Sequence, residues 1–375
     1  MLKPFQHLNQ VQDIVRQFTP NWFTVTMGTG VVALILPELP FASSLMWSLG
    51  ALVWQLNMVL FSLFSLLYGL RWLYFPVEAR QIFKHPMMSL FLGAIPMGLA
   101  TVLNGFLKFG GVLYGEIAVQ IAEHLWYIDV LLALTIAWAV PFSMYSQQNH
   151  ALNTMSAVWL LPIVACEVAA SSGGLLLAQL QPSTHALAIL LGSYALWGVS
   201  VLPAFAILTI LMLRLALHQL PAKELAISSW LALGPIGTGA LALLVLGAQA
   251  PELLALVEMQ ALGEFLHYSG IFASLILLGF GLWWMGIALL TTLKHLKDLP
   301  FNLGWWGLTF PIGVFSLAIL NLAEQLALPR LANVSFGFAS ILVLLWVMVA
   351  LKTTQGFYQG SLFFSPCLKT YLENK

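Results

Sequence analysis

Long stretches of apolar residues alternate along this chain with short polar segments. Most of the apolar stretches reach about 20 residues, the length that an α-helix needs to cross roughly 30 Å of hydrocarbon. There are ten such stretches, so the pattern predicts an all-α integral membrane protein with ten transmembrane helices. The expected helices lie at about residues 22–37, 45–74, 86–106, 117–142, 155–178, 185–216, 225–248, 260–292, 304–325 and 333–356.

The amino-acid composition indicates that lipid surrounds these helices. Hydrophobic residues make up 60% of the chain and charged residues 7%, and the mean hydropathy is +0.91. Soluble domains carry about 25% charged residues, so the expected partner of most of this surface is the lipid bilayer. We expect one transmembrane domain over residues 22–356, a cytoplasmic N-terminal segment over 1–21 and a cytoplasmic C-terminal tail over 357–375.

The distribution of positive charge predicts how the helices are oriented. Ten spans place both termini on one side of the membrane, and all Lys and Arg residues except Lys108 and Arg330 fall on that side. Because Lys and Arg accumulate in cytoplasmic loops, we expect both termini to be cytoplasmic and the protein to lie in the plasma (inner) membrane. The formal net charge of zero argues against nucleic acid as a partner.

Helix-breaking residues recur on the odd-numbered spans. The first span contains Gly28, and the next four odd spans contain Pro96, Pro162, Pro235 and Pro311, at successive intervals of 68, 66, 73 and 76 residues. A proline inside a helix removes one backbone hydrogen bond and displaces the carbonyl four residues earlier. The carbonyls displaced in this way belong to Leu92, Val158, Leu231 and Gly307.

Such backbone defects are tolerated in a membrane where protein shields them or where they line a water-filled cavity. We therefore expect five helical hairpins in a quasi-fivefold arrangement around a central pore, with the odd helices inside and the even helices facing lipid. The alternative is that these residues serve helix packing alone, as many membrane glycines and prolines do. The residues predicted to line the pore or to kink its helices are Gly28, Thr29, Gly30, Pro96, Gly98, Pro162, Pro235, Gly237, Thr238, Thr309 and Pro311.

Two motifs in these spans resemble those of a known family. The segments NWFTVTMGTG at 21–30 and WWGLTFPIG at 305–313 resemble the tellurite-resistance/dicarboxylate transporter family, also called the slow-anion-channel or TehA family. The resemblance extends from about Asn21 to Gly356 and is strongest to the malate permease and sulfite exporter branches. It implies ten helices with quasi-fivefold symmetry, a homotrimer with one pore in each protomer, and transport of small anions.

The resemblance also implies a gate. In this family a phenylalanine before the kink of the ninth helix blocks the pore, and the matching residue here is Phe310. A bulky apolar side chain on a pore-lining helix can close a channel by excluding water. The alternative is that Phe310 packs between helices like most of the 24 phenylalanines.

Ionisable residues within the spans are candidates for function. Glu167 is expected deep in the fifth span, where a protonated carboxyl could couple anion uptake to protons; a structural hydrogen bond is the alternative. For Asp129 in the fourth span we expect a structural hydrogen bond. No Lys or Arg is expected at mid-membrane, so the pore would offer hydroxyl groups and the backbone amides of an unwound MGTG segment. The candidate hydroxyl donors are Thr24, Thr26, Thr29, Thr238 and Thr309.

The expected substrates are small anions, with C4-dicarboxylates such as malate first and sulfite or small monovalent anions as the alternative. A channel and a proton-coupled carrier both remain open. An intramembrane enzyme is a remote alternative, because HExxH, GxSxG, GxGxxG and CxxC motifs are all missing from the sequence. The two cysteines, Cys166 and Cys367, have no spacing typical of metal sites, and no cofactor is expected.

Overall fold

The fold is built from ten main helices. A computed structural model describes residues 5, 6, 8, 10, 12–41 and 43–373. Lys3 and Lys375, which contribute to the predicted charge asymmetry, lie outside the described residues. The helices are α1 (Phe23–Ile35), α2 (Ser43–Tyr74), α3 (Met88–Tyr114), α4 (Ile117–Gln147), α5 (Ala157–Leu177), α6 (Thr184–His218), α7 (Lys223–Ala255), α8 (Gln260–His295), α9 (Leu303–Gln325) and α10 (Pro329–Gln359).

Nine of these helices, α2 to α10, are long and apolar enough to cross a membrane, counted over the described part of the chain. The helix α1 has 13 residues and is about 20 Å long. Tighter 3₁₀ turns at Pro20–Trp22 and Leu36–Glu38 continue it at both ends, which gives a helical segment of about 30 Å. The multi-span all-α class is therefore confirmed, and the count of ten spans stays a prediction.

Burial alternates strictly between odd and even helices. In the most apolar 18-residue window, 72% of α3, 94% of α5, 89% of α7 and 83% of α9 are buried inside the protein, against 22% to 33% for the five even helices. Nearly all of α1 is buried as well. The even helices thus present most of their side chains outward, as a lipid-facing layer requires, and the predicted division into inner and outer helices is confirmed.

The five odd helices form a closed ring. Each packs on the next, α1 on α3, α3 on α5, α5 on α7 and α7 on α9, and α9 returns to α1. Four of the even helices, α2, α4, α6 and α8, lie against the odd helix before and the odd helix after them, and α10 lies against α9 and α1. The chain therefore alternates between an inner ring and an outer layer, one hairpin after another.

Each odd helix begins with 3₁₀ turns and then becomes α-helical. The four prolines of the repeat, Pro96, Pro162, Pro235 and Pro311, occupy the second or third residue of the α-helical part. A proline is accommodated there because the first N–H groups of an α-helix have no partner within the helix. The predicted kinks therefore take the form of a change in helix type near the start of each inner helix.

The MGTG segment was expected to be unwound, and this expectation is wrong. Met27 to Gly30 lie within the continuous α-helix Phe23–Ile35. A helix keeps all backbone hydrogen bonds within the segment, which an apolar environment strongly favours. The glycines of this segment serve close helix packing, as described below.

Both ends of the chain are held at the same end of the helix bundle. The buried Arg71, near the end of α2, donates to the Phe18 carbonyl and, at 3.1 Å, to the Ser365 hydroxyl. The Gln17 side chain accepts from the Ser365 backbone N–H at 2.9 Å. Arg71 thus joins the segment before α1 to the segment that leads into the C-terminal helix Pro366–Glu373.

Candidate functional site

Two cavities open at opposite ends of the inner ring. The first, with a volume of about 230 Å³, lies at the beginnings of the odd helices, where Thr24, Leu161 and Phe310 are among its lining residues. The second, of about 320 Å³, lies at the ends of the same helices and is lined by residues such as Leu34 and Leu317. All five odd helices contribute to each cavity, and no described residue of an even helix lines either one. The ring helices and the segments that flank them therefore form both cavities.

Buried residues close the space between the cavities. On α1, Val31 lies one turn after Met27 of the first cavity and one turn before Leu34 of the second, so all three share a helix face. On α9, Val314 lies one turn after Phe310 of the first cavity and one turn before Leu317 of the second. Val31 is 1% exposed and Val314 6%. Along α9 the closed layer is about 9 Å thick.

Phe310 lies at the inner end of the first cavity. It is 4% exposed, lines that cavity together with Pro311, and is the second residue of the α-helical part of α9. An aromatic side chain at the junction between the cavity and the closed layer occupies space that an anion would need in order to pass. This position is compatible with the gate that the sequence predicts.

Three of the four predicted displaced carbonyls belong to residues of the first cavity. Val158, Leu231 and Gly307 all line it, whereas Leu92 does not and its neighbour Phe91 does. All four residues precede the α-helical part of their helix, next to the prolines. The 3₁₀ entrance turns thus contribute residues to the wall of the first cavity.

The glycines of the predicted set lie at contacts between helices. Gly28 of α1 faces α9. Gly30 of α1 faces α3, and Gly98 of α3 faces α1. Gly237 meets α9 so closely that a Cβ atom there would lie 2.8 Å from the backbone nitrogen of Phe315. Small residues at these points let the backbones of neighbouring ring helices approach.

Of the five candidate threonine hydroxyls, four have partners. Thr24, Thr26 and Thr309 donate to the carbonyl three residues earlier at 2.6 to 2.8 Å. Thr29 accepts from an indole N–H of α10 at 3.2 Å and so points away from the ring centre. The Thr238 hydroxyl is buried and has no hydrogen-bond partner among the described residues.

Thr238 lies on the face of α7 that lines the two cavities at its ends. It follows Leu231 of the first cavity by seven residues and precedes Leu241 of the second by three, so the three residues share one helix face. It therefore belongs to the closed layer with Val31 and Val314. Its hydroxyl is a hydrogen-bond donor in an otherwise apolar layer.

Glu167 lies behind the ring rather than in either cavity. Its carboxyl is fully buried between α5, α6 and α7, where a Cβ atom added at Gly239 would lie 3.5 Å from Oε2. The nearby Ser200 hydroxyl donates to the Ile163 carbonyl at 2.8 Å. No described residue forms a hydrogen bond with either oxygen of Glu167.

Asp129 is also fully buried, on the face of α4 that packs on α5. The structural hydrogen bond expected for it is wrong for the described residues, because neither carboxyl oxygen has a partner. The neighbouring α5 presents small and apolar side chains near Cys166, which offer no strong donor.

The sequence reasoning did not anticipate the charged groups in the second cavity. Glu38, Lys108 and Glu324 line it together with the carboxamides of Asn104 and Asn321. Lys108 forms an ion pair with Glu38. One signal was present in the sequence, since Lys108 is one of the two basic residues predicted to lie away from the cytoplasmic side, but its partner lies 70 residues away.

The sequence also matches a known family over most of its length. A family model described as a voltage-dependent anion channel matches residues 17–354. The chain belongs to the voltage-dependent anion channel family. The resemblance carried by the segments at 21–30 and 305–313 is thereby confirmed.

Relatives in this family point to anion transport. A sulfite efflux pump of Trichophyton rubrum is 36% identical over 337 residues, covering 89% of each chain. An uncharacterized transporter of Methanocaldococcus jannaschii is 27% identical, covering 94% of this chain and 98% of its own. A malic acid transport protein of Schizosaccharomyces pombe is 22% identical, covering 93% of this chain and 81% of its own.

The family and the architecture agree. The protein is an integral membrane anion transporter or channel of the voltage-dependent anion channel family, and its partners are an anion and the lipid bilayer. The matched family and these relatives are channels and transporters rather than enzymes.

Proposed function

We propose that this protein exports sulfite, or an anion of that class, through the centre of the inner ring. The observation that carries the proposal is the pair of cavities at opposite ends of the ring, with no described residue of an even helix in either wall. A transport route needs access from both sides and a barrier between them. The closed layer of Val31, Thr238 and Val314 provides the barrier.

The closed layer suits a small anion that is held weakly. No Lys or Arg is among these buried residues, and conduction requires binding that is weak enough to release the ion. The unpartnered Thr238 hydroxyl would donate to the passing anion in place of water. Phe310 would block entry from the first cavity until its side chain moves aside.

Sulfite is proposed ahead of malate because of the relatives. The sulfite efflux pump of T. rubrum is 36% identical to this chain, against 22% for the malic acid transport protein. C4-dicarboxylate transport is the second candidate, because the malic acid transport protein still aligns with 93% of this chain. Malate is larger than sulfite, so it would require a wider opening of the layer between the cavities.

We further propose that Glu167 is the proton-coupling group, acting through helix packing. It lies in the contact of α5 with α6 and α7 and lines neither cavity. A buried carboxylate without a partner is costly in a membrane, so its charge state would bias how these helices pack. Coupling would then change the width of the ring without direct contact between carboxyl and anion.

The location and assembly belong to the same proposal. We place the protein in the plasma (inner) membrane with both termini cytoplasmic, so the first cavity faces the cytoplasm and the second faces outward. A homotrimer with one pathway in each protomer is proposed from the family resemblance. The even helices would supply the contacts between protomers.

The test is a flux assay with the purified full-length protein in proteoliposomes. Release of sulfite and of labelled malate is measured, each with and without an imposed pH gradient. Sulfite release well above that of protein-free liposomes supports the proposal, and malate release alone would replace it with the second candidate. Release of neither anion under any condition would overturn the transport of both.

A further inference from the structure

The second cavity contains a concentrated group of polar side chains. Lys108 of α3 and Glu38, which follows α1, form an ion pair at its wall. Glu324 of α9 lines the same cavity and interacts electrostatically with both. The carboxamides of Asn104, Gln179 and Asn321 line the same cavity. Three ring helices thus bring charge and amide groups to one space of about 320 Å³.

Lys108 is the single basic residue among the described residues that line the two cavities. The first cavity contains one charged residue, Glu224, and the closed layer between the cavities has none. An anion that moves through the ring therefore meets one fixed cation, at the second cavity. In the structure that cation is paired with the Glu38 carboxylate.

We propose that Lys108, with Asn104 and Asn321, forms a binding subsite for the transported oxyanion, and that Glu38 occupies this subsite when the anion is absent. The inference rests on the proposed function, since it assigns a binding site to the same pathway. A carboxylate and a small oxyanion such as sulfite present the same kind of acceptor oxygens to an ammonium group. The Glu38 side chain thus acts as a tethered competitor of the substrate.

The amide groups have the donors that this role requires. The Asn321 Oδ1 atom accepts from Gln325 at 2.8 Å, which fixes the carboxamide and does not use its two N–H donors. The Asn104 Oδ1 atom is buried without a hydrogen-bond partner among the described residues. A carboxamide next to an anion can turn its N–H donors toward it.

The ion pair of Lys108 and Glu38 is exposed enough for an anion to replace the Glu38 carboxylate. The Lys108 side chain is 39% exposed and the Glu38 side chain 24%, so both reach the water of the cavity. Solvent-exposed ion pairs are weak, and an anion at sufficient concentration can replace one carboxylate. Glu324 adds a second negative charge near the ammonium group, which weakens anion binding at Lys108 and so favours release.

A purely structural ion pair makes a different prediction from a binding subsite. If Glu38 and Lys108 only tie the end of α1 to α3, removing either one loses the same contact. Glu38→Gln and Lys108→Gln would then change transport in the same direction. In the proposed subsite the two changes act in opposite directions, because one removes a competitor and the other removes the binding group.

The experiment measures sulfite release from proteoliposomes over a range of sulfite concentrations. Lys108→Gln is expected to raise the half-saturating concentration about tenfold, as loss of a charge-assisted contact does. Glu38→Gln is expected to lower it severalfold at a similar maximal rate. Arg330→Gln and Glu116→Gln are the matched controls, because each makes the same charge change at an exposed residue that lines neither cavity.

The outcomes separate this inference from the proposed function. If the unaltered protein releases no sulfite, the proposed function fails, and the variants are not needed to reach that conclusion. If it releases sulfite, an unchanged half-saturating concentration in Lys108→Gln overturns the subsite. A shift of both variants in the same direction overturns it as well. Opposite shifts, with both controls unchanged, establish Lys108 as the binding group.

Discussion

At the scale of single residues, Phe310 combines an apolar ring with a position at the boundary between cavity and closed layer. It is 4% exposed and lines the first cavity. Phe310→Ala removes the ring and leaves space where the first cavity meets the closed layer. We expect anion flux to rise about tenfold or more, because a hydrophobic constriction closes by excluding water. The increase in flux is measured as anion efflux from proteoliposomes.

The matched control for this change is Phe338→Ala. Phe338 is half-buried on α10 and packs edge-on against Phe315 at 5.9 Å, away from both cavities. The Phe338→Ala variant loses the same side chain, but from the outer layer, and its anion flux should equal that of the unaltered protein. Unchanged flux in a folded Phe310→Ala variant would mean that Phe310 packs between helices and does not gate.

Glu167 makes a separate prediction at the same scale. Glu167→Gln keeps the shape of the side chain and removes its ability to titrate. If its protonation biases the packing of α5 against α7, flux driven by a pH gradient should be lost, whereas flux driven by the anion gradient should remain. Both are measured in the same liposomes, with the gradient imposed or collapsed. Retained gradient-driven flux would return Glu167 to a structural role.

At the scale of helices, the contact between α7 and α9 depends on Gly237. A Cβ atom at this position would lie 2.8 Å from the backbone nitrogen of Phe315 and 2.9 Å from its Cα. Because backbone cannot yield like a side chain, Gly237→Ala should push the two ring helices apart and cost about 1–3 kcal/mol. The midpoint of thermal unfolding in detergent should fall accordingly.

Gly286 provides the matched control on the outer helix α8. A Cβ atom there would meet nothing within 4 Å, so Gly286→Ala adds the same methyl group without a clash. Alanine is favoured over glycine within a helix by about 0.5–1 kcal/mol, so the midpoint should stay the same or rise. An equal loss in both variants would show that close packing at Gly237 is not the cause.

The start of α3 has a pH-dependent contact. The Nδ1 atom of His85 accepts from the backbone N–H groups of Met87 and Met88 at 3.2 and 3.1 Å. Burial lowers the pKa of His85 below its ordinary value of 6.5, so the folded protein favours the neutral ring. The stability from this contact is therefore complete above about pH 6.5 and is lost as the pH falls below it.

Replacing His85 with asparagine keeps a hydrogen-bond acceptor at this position and removes the titrating group. The Asn side-chain oxygen in His85→Asn can accept from the same N–H groups and carries no titrating proton. The unfolding midpoint of the unaltered protein should drop more between about pH 7 and pH 5 than that of the variant, by an amount equivalent to about 1 kcal/mol. Identical pH profiles would contradict the role given to the His85 ring.

Much of the fold could be predicted because the membrane imposes long apolar segments. The ends of α4 and α8 extend only a few residues beyond the predicted limits, and the spacing of the prolines correctly separated inner from outer helices. The end of α3 was missed by eight residues, because the apolar pattern stops before Lys108. The helix continues there through a π-helical turn at Phe106–Gly110.

The candidate site was harder to predict, because it depends on side-chain partners that are distant in sequence. Periodicity identifies Thr238 as a pore candidate, but only the structure gives the partners of the other four threonines. The ion pair of Lys108 joins residues 70 positions apart, and no local pattern indicates it. Glu167 is buried in the fifth span, where it was expected, but spacing alone could not show that it lies behind the ring.

At the scale of the whole molecule, the proposed route through the ring requires that α1 crosses the membrane. Its residue Met27 lines the first cavity and Leu34 lines the second, so the short helix runs from one cavity to the other as the longer odd helices do. The segment before α1 and the loop after it must therefore lie on opposite sides. A nine-span topology would place them on the same side.

Single cysteines labelled from each side of the membrane test this topology. Gln12→Cys precedes α1, and Phe41→Cys and Glu116→Cys follow α1 and α3, all at exposed residues. The natural Cys166 and Cys367 are buried, and the unaltered protein controls for their labelling. With ten spans and cytoplasmic termini, an impermeant maleimide added outside intact cells should label Phe41→Cys and Glu116→Cys but not Gln12→Cys. Labelling of Gln12→Cys together with Phe41→Cys would mean that α1 does not cross, and the route through the ring would lose one wall.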